Sequence, residues 1–381
     1  MTVLIIVEPG VDGVFRHVEG LCRFLFSRNV AVHLAFSSKR GSEGLVALVE
    51  SIRQHGGQTL DLKVGNAPCP SDLKAFLNLR KLARSVRPDV IHAHSSKAGV
   101  LGRALALSGI KAHYFYTAHA YYGMGGSRGV KAAFFNFIEA VLGRIGTTIN
   151  LSDDESAFAM KRLRIAQSRI RIIHNPVNTA EFRPARGDER RLIRARFKIP
   201  DDALVLGSVG RLSFQKDPQT MYRAVAQAMM KHDQLWLCHV GRGELEEEIN
   251  ALSNKLGIAA RLVQIPYLDL PAEIYRAFDA FVLTSRYEGF PIVVLEALAS
   301  NLPLILTSCP GTSDIRQGGL SHCWTAEIGD TDGLANAMES WRLDVHNHRL
   351  INHRQIAQER FAIDVLFGAV HELYLNAITP H

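Results

Sequence analysis

Two glutamates stand in Arg286-Tyr-Glu288-Gly-Phe-Pro291-Ile-Val-Val-Leu-Glu296-Ala-Leu-Ala299, which is apolar throughout between and after them. Ala280–Leu283 reads as a strand and Thr284–Phe290 as a loop. Pro291 suits the first position of a helix, where its missing N–H costs nothing. Glu288 then precedes a helix N-terminus with free N–H groups and a positive dipole end. Glu296 is the only charge within Pro291–Ser300. A carboxylate in an apolar helix is unfavourable unless something hydrogen-bonds it. Ligand hydroxyls would do so, and so would a buried ion pair. The neighbouring helix N–H groups suit a phosphate.

A second set of groups lies in Gly207-Ser-Val-Gly210-Arg211-Leu-Ser-Phe-Gln-Lys216-Asp217-Pro218. Arg211 and Lys216 follow a strand and precede a helix opened by Asp217-Pro218. Such a pair suits a diphosphate, with a bidentate guanidinium and a point-like ammonium. A third stretch, Pro9-Gly10-Val-Asp12-Gly13-Val-Phe-Arg16-His17, follows the first strand. Its glycines permit close backbone approach, or simply a turn. It is not a G-x-G-x-x-G fingerprint, which argues against a dinucleotide dehydrogenase. Ile91-His92-Ala-His94-Ser-Ser-Lys97 and Tyr116-Thr-Ala-His119-Ala-Tyr121 put histidines at strand ends. There a histidine can donate to a sugar hydroxyl or a leaving oxygen. No carboxylate or cysteine lies near His92-x-His94, so no metal is expected.

These residues need strand ends to carry them, and the chain supplies strands alternating with helices. Strand-like runs are Val3–Val7, Val30–Phe36, Val90–His92, His113–Thr117, Thr147–Leu151 and Ile170–His174, then Leu204–Val209, Leu235–Val240, Ala260–Ile265, Ala280–Leu283 and Pro303–Leu306. Amphipathic stretches between them include Val14–Ser27, Asp72–Ser85, Pro218–Lys231 and Glu244–Leu256. The alternation predicts parallel α/β structure. With 381 residues and a pattern that restarts near residue 204, two domains are expected, 1–183 and 184–360. A final helix is read over about 361–378. Ligands of such sheets bind beyond the carboxyl ends of the strands.

Residues 1–183 hold 24 Lys and Arg against 13 Asp and Glu, a net +11, whereas residues 184–381 hold 20 against 24, a net −4. The basic half suits anionic partners such as a phospholipid surface or a lipid diphosphate. Asp72–Arg87 sets Leu73, Phe76, Leu77, Leu82 and Val86 against Lys74, Arg80, Lys81, Arg84 and Arg87. That fits a membrane-surface helix or an ordinary exposed one. Tyr121–Gly129 reads as a mobile acceptor loop or as the entry to a core helix. No apolar stretch is long enough to span a membrane, and no signal peptide is read at Met1–Val7. Five scattered cysteines without a Cys-x-x-Cys pair fit a reducing cytoplasm, at the inner face of the membrane if the lipid reading holds. No base-reading motif for nucleic acid is found.

Together these motifs resemble the family 4 retaining glycosyltransferases, also called group 1. Glu288-x7-Glu296 matches that family's Glu-x7-Glu motif, and Gly210-Arg211 to Lys216-Asp217 its basic segment. Val240-Gly241-Arg-Gly243, Ile173-His-Asn175-Pro-Val, Asp89-Val-Ile-His92-Ala-His94 and Leu151-Ser152 fall at the expected places. The resemblance covers nearly the whole chain. It implies the α/β GT-B fold, two Rossmann-like domains whose parallel sheets face an interdomain cleft. It implies an acceptor held by the first domain and a nucleotide-sugar by the second, with the final helix packing back on the first domain. Arg211 and Lys216 would hold the diphosphate, Glu288 the sugar hydroxyls and Glu296 the ribose. His119 would face the sugar near the reacting carbon, and Gly13 would lie beneath the diphosphate. Gly289, Phe290, Pro291, Ile292 and Val293 would surround sugar and phosphate oxygens. Arg16, His94, Lys97 and Tyr121 are the acceptor candidates. Glu288, His119, Arg211 and Lys216 are the catalytic set.

The chain departs from many members at Asp12-Gly13, where they have paired glycines, and at Pro291, where they have glycine. The resemblance implies front-face transfer with retention of a hexose. It implies no cofactor or metal, since two cations already balance the diphosphate. UDP is favoured over GDP, with base contacts near Ile265–Leu268. The acceptor would be a glycan or lipid-diphosphate-linked glycan of lipopolysaccharide, exopolysaccharide or other cell-envelope synthesis. A sugar-nucleotide epimerase and a degenerate, non-catalytic member are the competing readings.

Overall fold

The computed structural model describes residues 1–65, 67–126, 129–266, 272–317, 319–345 and 352–379. They form two compact units: Met1–Pro176 with Ile363–His381, and Val177–Ala362.

The first unit is built on seven strands: β1 (Thr2–Val7), β2 (Ala31–Phe36), β3 (Thr59–Asp61), β4 (Val90–His94), β5 (His113–Thr117), β6 (Thr147–Asn150) and β7 (Ile170–Ile172). Their order is β3-β2-β1-β4-β5-β6-β7 and every pairing is parallel. Val3 to Val7 are fully buried, as a parallel strand covered on both faces must be. The helices are α1 (Asp12–Ser27), α2 (Glu43–Gln54), α3 (Ser71–Val86), α4 (Ser96–Leu107), α5 (Val130–Leu142) and α6 (Asp153–Lys161). The chain steps one way from β1 to β3 and the other way from β3 to β7. Right-handed crossovers therefore set α1 and α2 on one face and α3 to α6 on the other. The direction reverses between β1 and β4, which is where such a sheet opens a ligand crevice.

The second unit begins with α7 (Glu189–Arg196) and has six strands: β8 (Leu204–Val209), β9 (Leu235–Val240), β10 (Leu262–Ile265), β11 (Ala280–Leu283), β12 (Leu304–Thr307) and β13 (Cys323–Ala326). They run parallel in the order β10-β9-β8-β11-β12-β13, with the reversal between β8 and β11. Its other helices are α8 (Pro218–Met229), α9 (Glu246–Lys255), α10 (Ile292–Ala299), α11 (Ser313–Arg316), α12 (Thr331–Val345) and α13 (His353–Arg360). Tyr222, Leu237, Val282, Ile305 and Trp341 meet in one buried core. Gly207 on β8 has no room for a side chain, because a Cβ there would stand 2.1 Å from the Phe278 ring.

The last helix, α14 (Ile363–Ile378), belongs to the first unit. Phe367 packs against Phe24 of α1, and the Tyr374 hydroxyl meets His92 Nδ1 at 2.5 Å.

Several expectations need correction. β3 and β13 were not read from sequence. Both are edge strands, short and only partly buried, so they lack the continuous apolar run of a central strand. The charged run Arg186–Arg196 contains helix α7. Arg190 and Arg194 both pair with Asp279 at the start of β11, and Arg194 is buried. The boundary falls at Pro176–Val177, not after residue 183. Residues 177–183 are tied to the second unit by Val177 N to Phe361 O at 2.8 Å and by Arg354, which donates to the Phe182 and Thr179 carbonyls at 2.9 Å each. Part of the base-contact stretch Ile265–Leu268 and part of Tyr121–Gly129 lie outside the described residues.

Candidate active site

In the first unit, the carboxyl ends of β1, β4 and β5 gather three imidazoles. His94 is the last residue of β4, His119 follows β5, and His17 comes from α1. His94 Nδ1 and His119 Nε2 are 3.1 Å apart, and His17 Nδ1 lies 2.8 Å from Asn175 Oδ1. The His17 ring meets the His119 ring edge-on at 4.8 Å. Burial holds His17 down to about 4 and His94 and His119 well below the ordinary imidazole value, with neighbouring imidazoles adding to the effect on the latter two. All three rings are neutral at physiological pH, so each offers one N–H donor and one acceptor nitrogen. His92 lies beneath, between Tyr374 and Thr117.

The backbone around this cluster is strained. Ser95, His119 and Ala120 follow β4 and β5 with φ of 77°, 56° and 82°, and Asp12 follows β1 with φ of 61°. Non-glycine residues reach this region at a cost and persist only where their surroundings hold them. The holder at β5 is Glu155, buried at the start of α6. Its carboxylate accepts from Ala120 N at 2.6 Å and from Leu151 N at 2.7 Å. The Asp12 backbone is left-handed, a conformation that aspartate tolerates better than most residues. Gly13 is exposed in the first turn of α1, and Arg16 follows on the same helix.

Two acceptor candidates are engaged elsewhere. Tyr121 is buried in the core, with its hydroxyl donating to Asn150 Oδ1 at 2.9 Å and its ring stacked on Phe158, so it is not a loop contact. Lys97 donates to Asp72 Oδ2 at 2.5 Å and to the Ala67 carbonyl at 2.8 Å, tying α4 to the start of α3.

His17, His94 and His119 also form a group able to hold a metal ion, with ligand nitrogens within 4.8 Å of one another, the one such group among the described residues. The His94–His119 hydrogen bond already occupies two of the nitrogens facing one another.

In the second unit the charged groups meet at the carboxyl ends of β8 and β11. Lys216 Nζ donates to Glu288 Oε1 at 2.6 Å, and Ser285 Oγ donates to the same oxygen at 2.5 Å. The Glu288 loop is fixed from behind. Its N–H donates to the Pro310 carbonyl at 2.8 Å, and a Cβ on Gly311 would stand 2.2 Å from the Glu288 carbonyl oxygen. Gly311 has φ of 87°, so only glycine fits both the contact and the turn. Asp217 caps α8 with its carboxylate between Thr220 and Arg286, each at 2.9 Å. Arg211 is exposed on the loop after β8. A small pocket beside the pair is lined by Ser208, Gly210, Arg211, Lys216, His239 and Thr284.

Gly289 and Phe290 are buried and complete the loop. Pro291 is the residue before α10, not its first member as the sequence suggested. Its φ of −73° and ψ of 110° are extended, and the helix opens at Ile292. The first N–H groups of α10 are therefore those of Ile292 and Val293, and the proline removes none of them. Glu296 is fully buried, and the Tyr275 hydroxyl donates to its carboxylate.

Reading from sequence did not find Tyr275, Ser285 or Glu155, and it quoted His17 and Asn175 within motifs without giving either a role. Tyr275 and Glu155 lie in segments with no chemical pattern of their own. His17 carried a signal in retrospect, since it stands one turn into the helix after the glycine stretch.

A profile described as Glycosyltransferase Family 4 matches residues 11–181, and one described as Glycosyl transferases group 1 matches residues 189–355. The chain is 28% identical over 275 residues, 70% of each sequence, to the UDP-Gal:alpha-D-GlcNAc-diphosphoundecaprenol alpha-1,3-galactosyltransferase of Escherichia coli. It is 23% identical over 310 residues, 80% of this chain and 81% of the other, to the capsular polysaccharide biosynthesis glycosyltransferase CapM of Staphylococcus aureus. Among solved structures, Anabaena Alr3699/HepE in complex with UDP-glucose superposes with a TM-score of 0.83 at 18% identity, covering 99% of this chain and 100% of that one. WaaG, a glycosyltransferase involved in lipopolysaccharide biosynthesis, gives 0.72 at 14% identity over the whole of both chains. At these identities the structural likeness speaks for the fold alone.

Proposed function

Because the chain belongs to the group 1, family 4 glycosyltransferases of GT-B fold that build cell-envelope and other polysaccharides, we propose that it transfers a hexose with retention from a nucleoside-diphosphate sugar, UDP in preference to GDP, to a lipid-diphosphate-linked glycan. The observation that carries this reading is the Lys216–Glu288 pair beside the open end of α10. An ammonium and a carboxylate that neutralise one another can both be re-partnered by one ligand. The diphosphate takes Lys216, and the sugar hydroxyls take Glu288. Arg211 adds a second cation, and the N–H groups of Ile292 and Val293 add helix-end donors.

In the reaction, the acceptor oxygen bonds to the anomeric carbon on the face from which the diphosphate departs. The carbon–oxygen bond to the diphosphate breaks, and the acceptor proton passes to the leaving oxygen. Arg211 and Lys216 stabilise the charge that grows there. His119, held neutral, donates to a sugar hydroxyl. Glu296, oriented by Tyr275, takes the ribose hydroxyls. Gly13 and the backbone of Gly289 to Val293 leave room for sugar and phosphate oxygens. Arg16 and His94 are assigned to the acceptor side. No metal or cofactor is assigned a step. The UDP preference draws on the UDP-Gal in the printed name of the Escherichia coli relative and the UDP-glucose in that of the Anabaena structure. The lipid-linked acceptor draws on the former and on the basic first unit.

The test is radiolabel transfer from UDP-hexoses and GDP-hexoses to a lipid-diphosphate glycan. Glu288→Gln and Lys216→Ala are each expected to lower the rate about 100-fold or more, and UDP but not GDP is expected to raise the melting temperature. Rates within a few-fold of wild type in both variants would end this reading. Release of a free modified sugar nucleotide without acceptor would favour an epimerase instead.

A further inference from the structure

The second unit holds a cavity of about 450 Å³ at the end of its sheet remote from Lys216 and Glu288. That pair stands at the carboxyl ends of β8 and β11. The cavity lies at the amino ends of β11, β12 and β13, where Asp279, Pro303 and His322 each precede a strand. Helix α7 adds Arg190 to its wall, and α12 adds Trp341 and Asp344. The volume falls within the range of about 300–1,000 Å³ usual for small-molecule sites. Sheets of this kind bind their main ligand at the carboxyl end, so a nucleotide-sugar donor does not account for this cavity.

The ionisable groups of the wall are matched by opposite ones. Arg190 pairs with Asp279, Arg276 stands 3.9 Å from Glu189, and His322 Nε2 stands 3.7 Å from Asp344 Oδ2. Among the described residues of the wall no cation is left over for a phosphate or a carboxylate. The wall also carries three aromatic side chains. Tyr275 gives its hydroxyl to Glu296, so its ring is what serves the cavity. Trp324 is half-buried and meets the His322 ring edge-on, and Trp341 is fully buried. The Trp341 indole N–H and the Ser300 hydroxyl are buried without an acceptor among the described residues. A buried donor left unpaired is costly, and a ligand acceptor relieves that cost. Asn301 accepts from Arg354 N through Oδ1 at 3.1 Å, which leaves its Nδ2 for another partner.

We infer that this cavity is a saccharide site, separate from the Lys216–Glu288 site, that takes an uncharged sugar or short glycan. One C–H face of the sugar meets Trp324, and its hydroxyl oxygens accept from Asn301, Ser300 and Trp341. Balanced charge selects a neutral ligand. Indole rings beside unpaired donors select one that combines an apolar face with many oxygens, as a sugar ring does. The inference goes beyond the transfer proposed above and rests on neither its donor nor its acceptor.

The experiment is titration of the full chain with maltose, cellobiose, lactose and chitobiose, read by tryptophan emission. Trp324 and Trp341 line the cavity, and the third tryptophan of the chain, Trp236, lies on β9. At least one sugar is expected to shift the emission saturably, with a Kd on the order of 1 mM. Neither saturating UDP nor Lys216→Ala is expected to change that Kd. Binding to the cavity variants is read by saturation-transfer NMR. Trp324→Ala is expected to weaken it about tenfold or more. Asn301→Asp keeps the acceptor for Arg354 N and suits the left-handed backbone, φ 59°. Its melting temperature is expected to match wild type while affinity falls about five- to tenfold, so this variant decides the matter even if Trp324→Ala does not fold. The inference is overturned if none of the sugars binds, if UDP competes with them, or if Asn301→Asp binds as wild type does. Binding of uridine or adenosine in place of every sugar would also overturn it and assign the cavity to a nucleoside. Sugar binding at the cavity can fail while transfer stands, and transfer can fail while sugar binding stands, so the two proposals are tested apart.

Discussion

Tyr275 and Glu296 are the buried pair most sensitive to a single atom. The carboxylate lies in an apolar helix and accepts from the tyrosine hydroxyl. Tyr275→Phe removes the donor and leaves the carboxylate to a poorer environment. A buried acceptor that loses its partner costs about 1–3 kcal/mol. That loss should be read in urea unfolding, together with a higher KM for the donor and a smaller change in kcat. A KM equal to wild type would mean that the hydroxyl serves stability only. The Lys216–Glu288 pair differs because Lys216 lines a pocket. Its loss is expected in transfer more than in folding.

At the scale of elements, the loop after β5 stores strain. His119 and Ala120 are consecutive left-handed residues, and Glu155 from α6 holds the second of them by its N–H. Ala120→Gly removes the clash of the Cβ with the backbone, worth roughly 1–2 kcal/mol, less the backbone entropy that glycine restores to the unfolded chain. A net stabilisation of up to about 1 kcal/mol is expected in the denaturation midpoint. Glu155→Gln keeps one acceptor and loses the other, so a destabilisation of about 1–3 kcal/mol is expected. A glycine variant clearly less stable than wild type would show that the turn is unstrained. The strained positions after β1, β4 and β5 lie at the end of the sheet where the histidines gather, so strain and chemistry share an edge.

For the whole molecule, buried histidines set a pH limit. Burial lowers His17 in the first unit and His239 in the second to about 4, from 6.5. Between these values the unfolded chain binds a proton that the folded chain refuses. Stability is therefore complete above the unfolded value and is lost as pH falls towards 4. Each such histidine accounts for about 3 kcal/mol across that window. The half-buried Glu189 and Glu339, lowered to about 2, begin to lose their contribution only below the ordinary carboxylate range. Urea unfolding followed from neutral pH downwards should thus show falling stability above pH about 4.5, before the carboxylates titrate. A flat profile in that range would mean that these rings protonate without cost. No helix among the described residues is long and apolar enough to cross a membrane.

Sequence by itself determined the alternating parallel architecture, because a strand covered on both faces is near-continuously apolar, as Val3–Val7 is throughout and Leu204–Val209 is but for Ser208. It also determined Glu288, Glu296, Arg211 and Lys216 as residues to examine, because charges at strand ends and inside an apolar helix stand out against their neighbours. Tertiary structure alone decided which of them touch. Lys216 and Glu288 are far apart in the chain and meet only because β8 and β11 are adjacent. The same is true of His17, His94 and His119, which reach one point from α1, β4 and the end of β5. Tyr121 shows the converse. A tyrosine after a strand reads the same whether its ring faces a ligand or the core, and only packing on Phe158 and Asn150 settles it. The outward side of α5, with Phe134 and Phe137 exposed, was equally hidden, since Ala132–Ile138 is apolar but for Asn136 and its composition does not say which side is buried. The buried Arg103–Glu139 pair decides that.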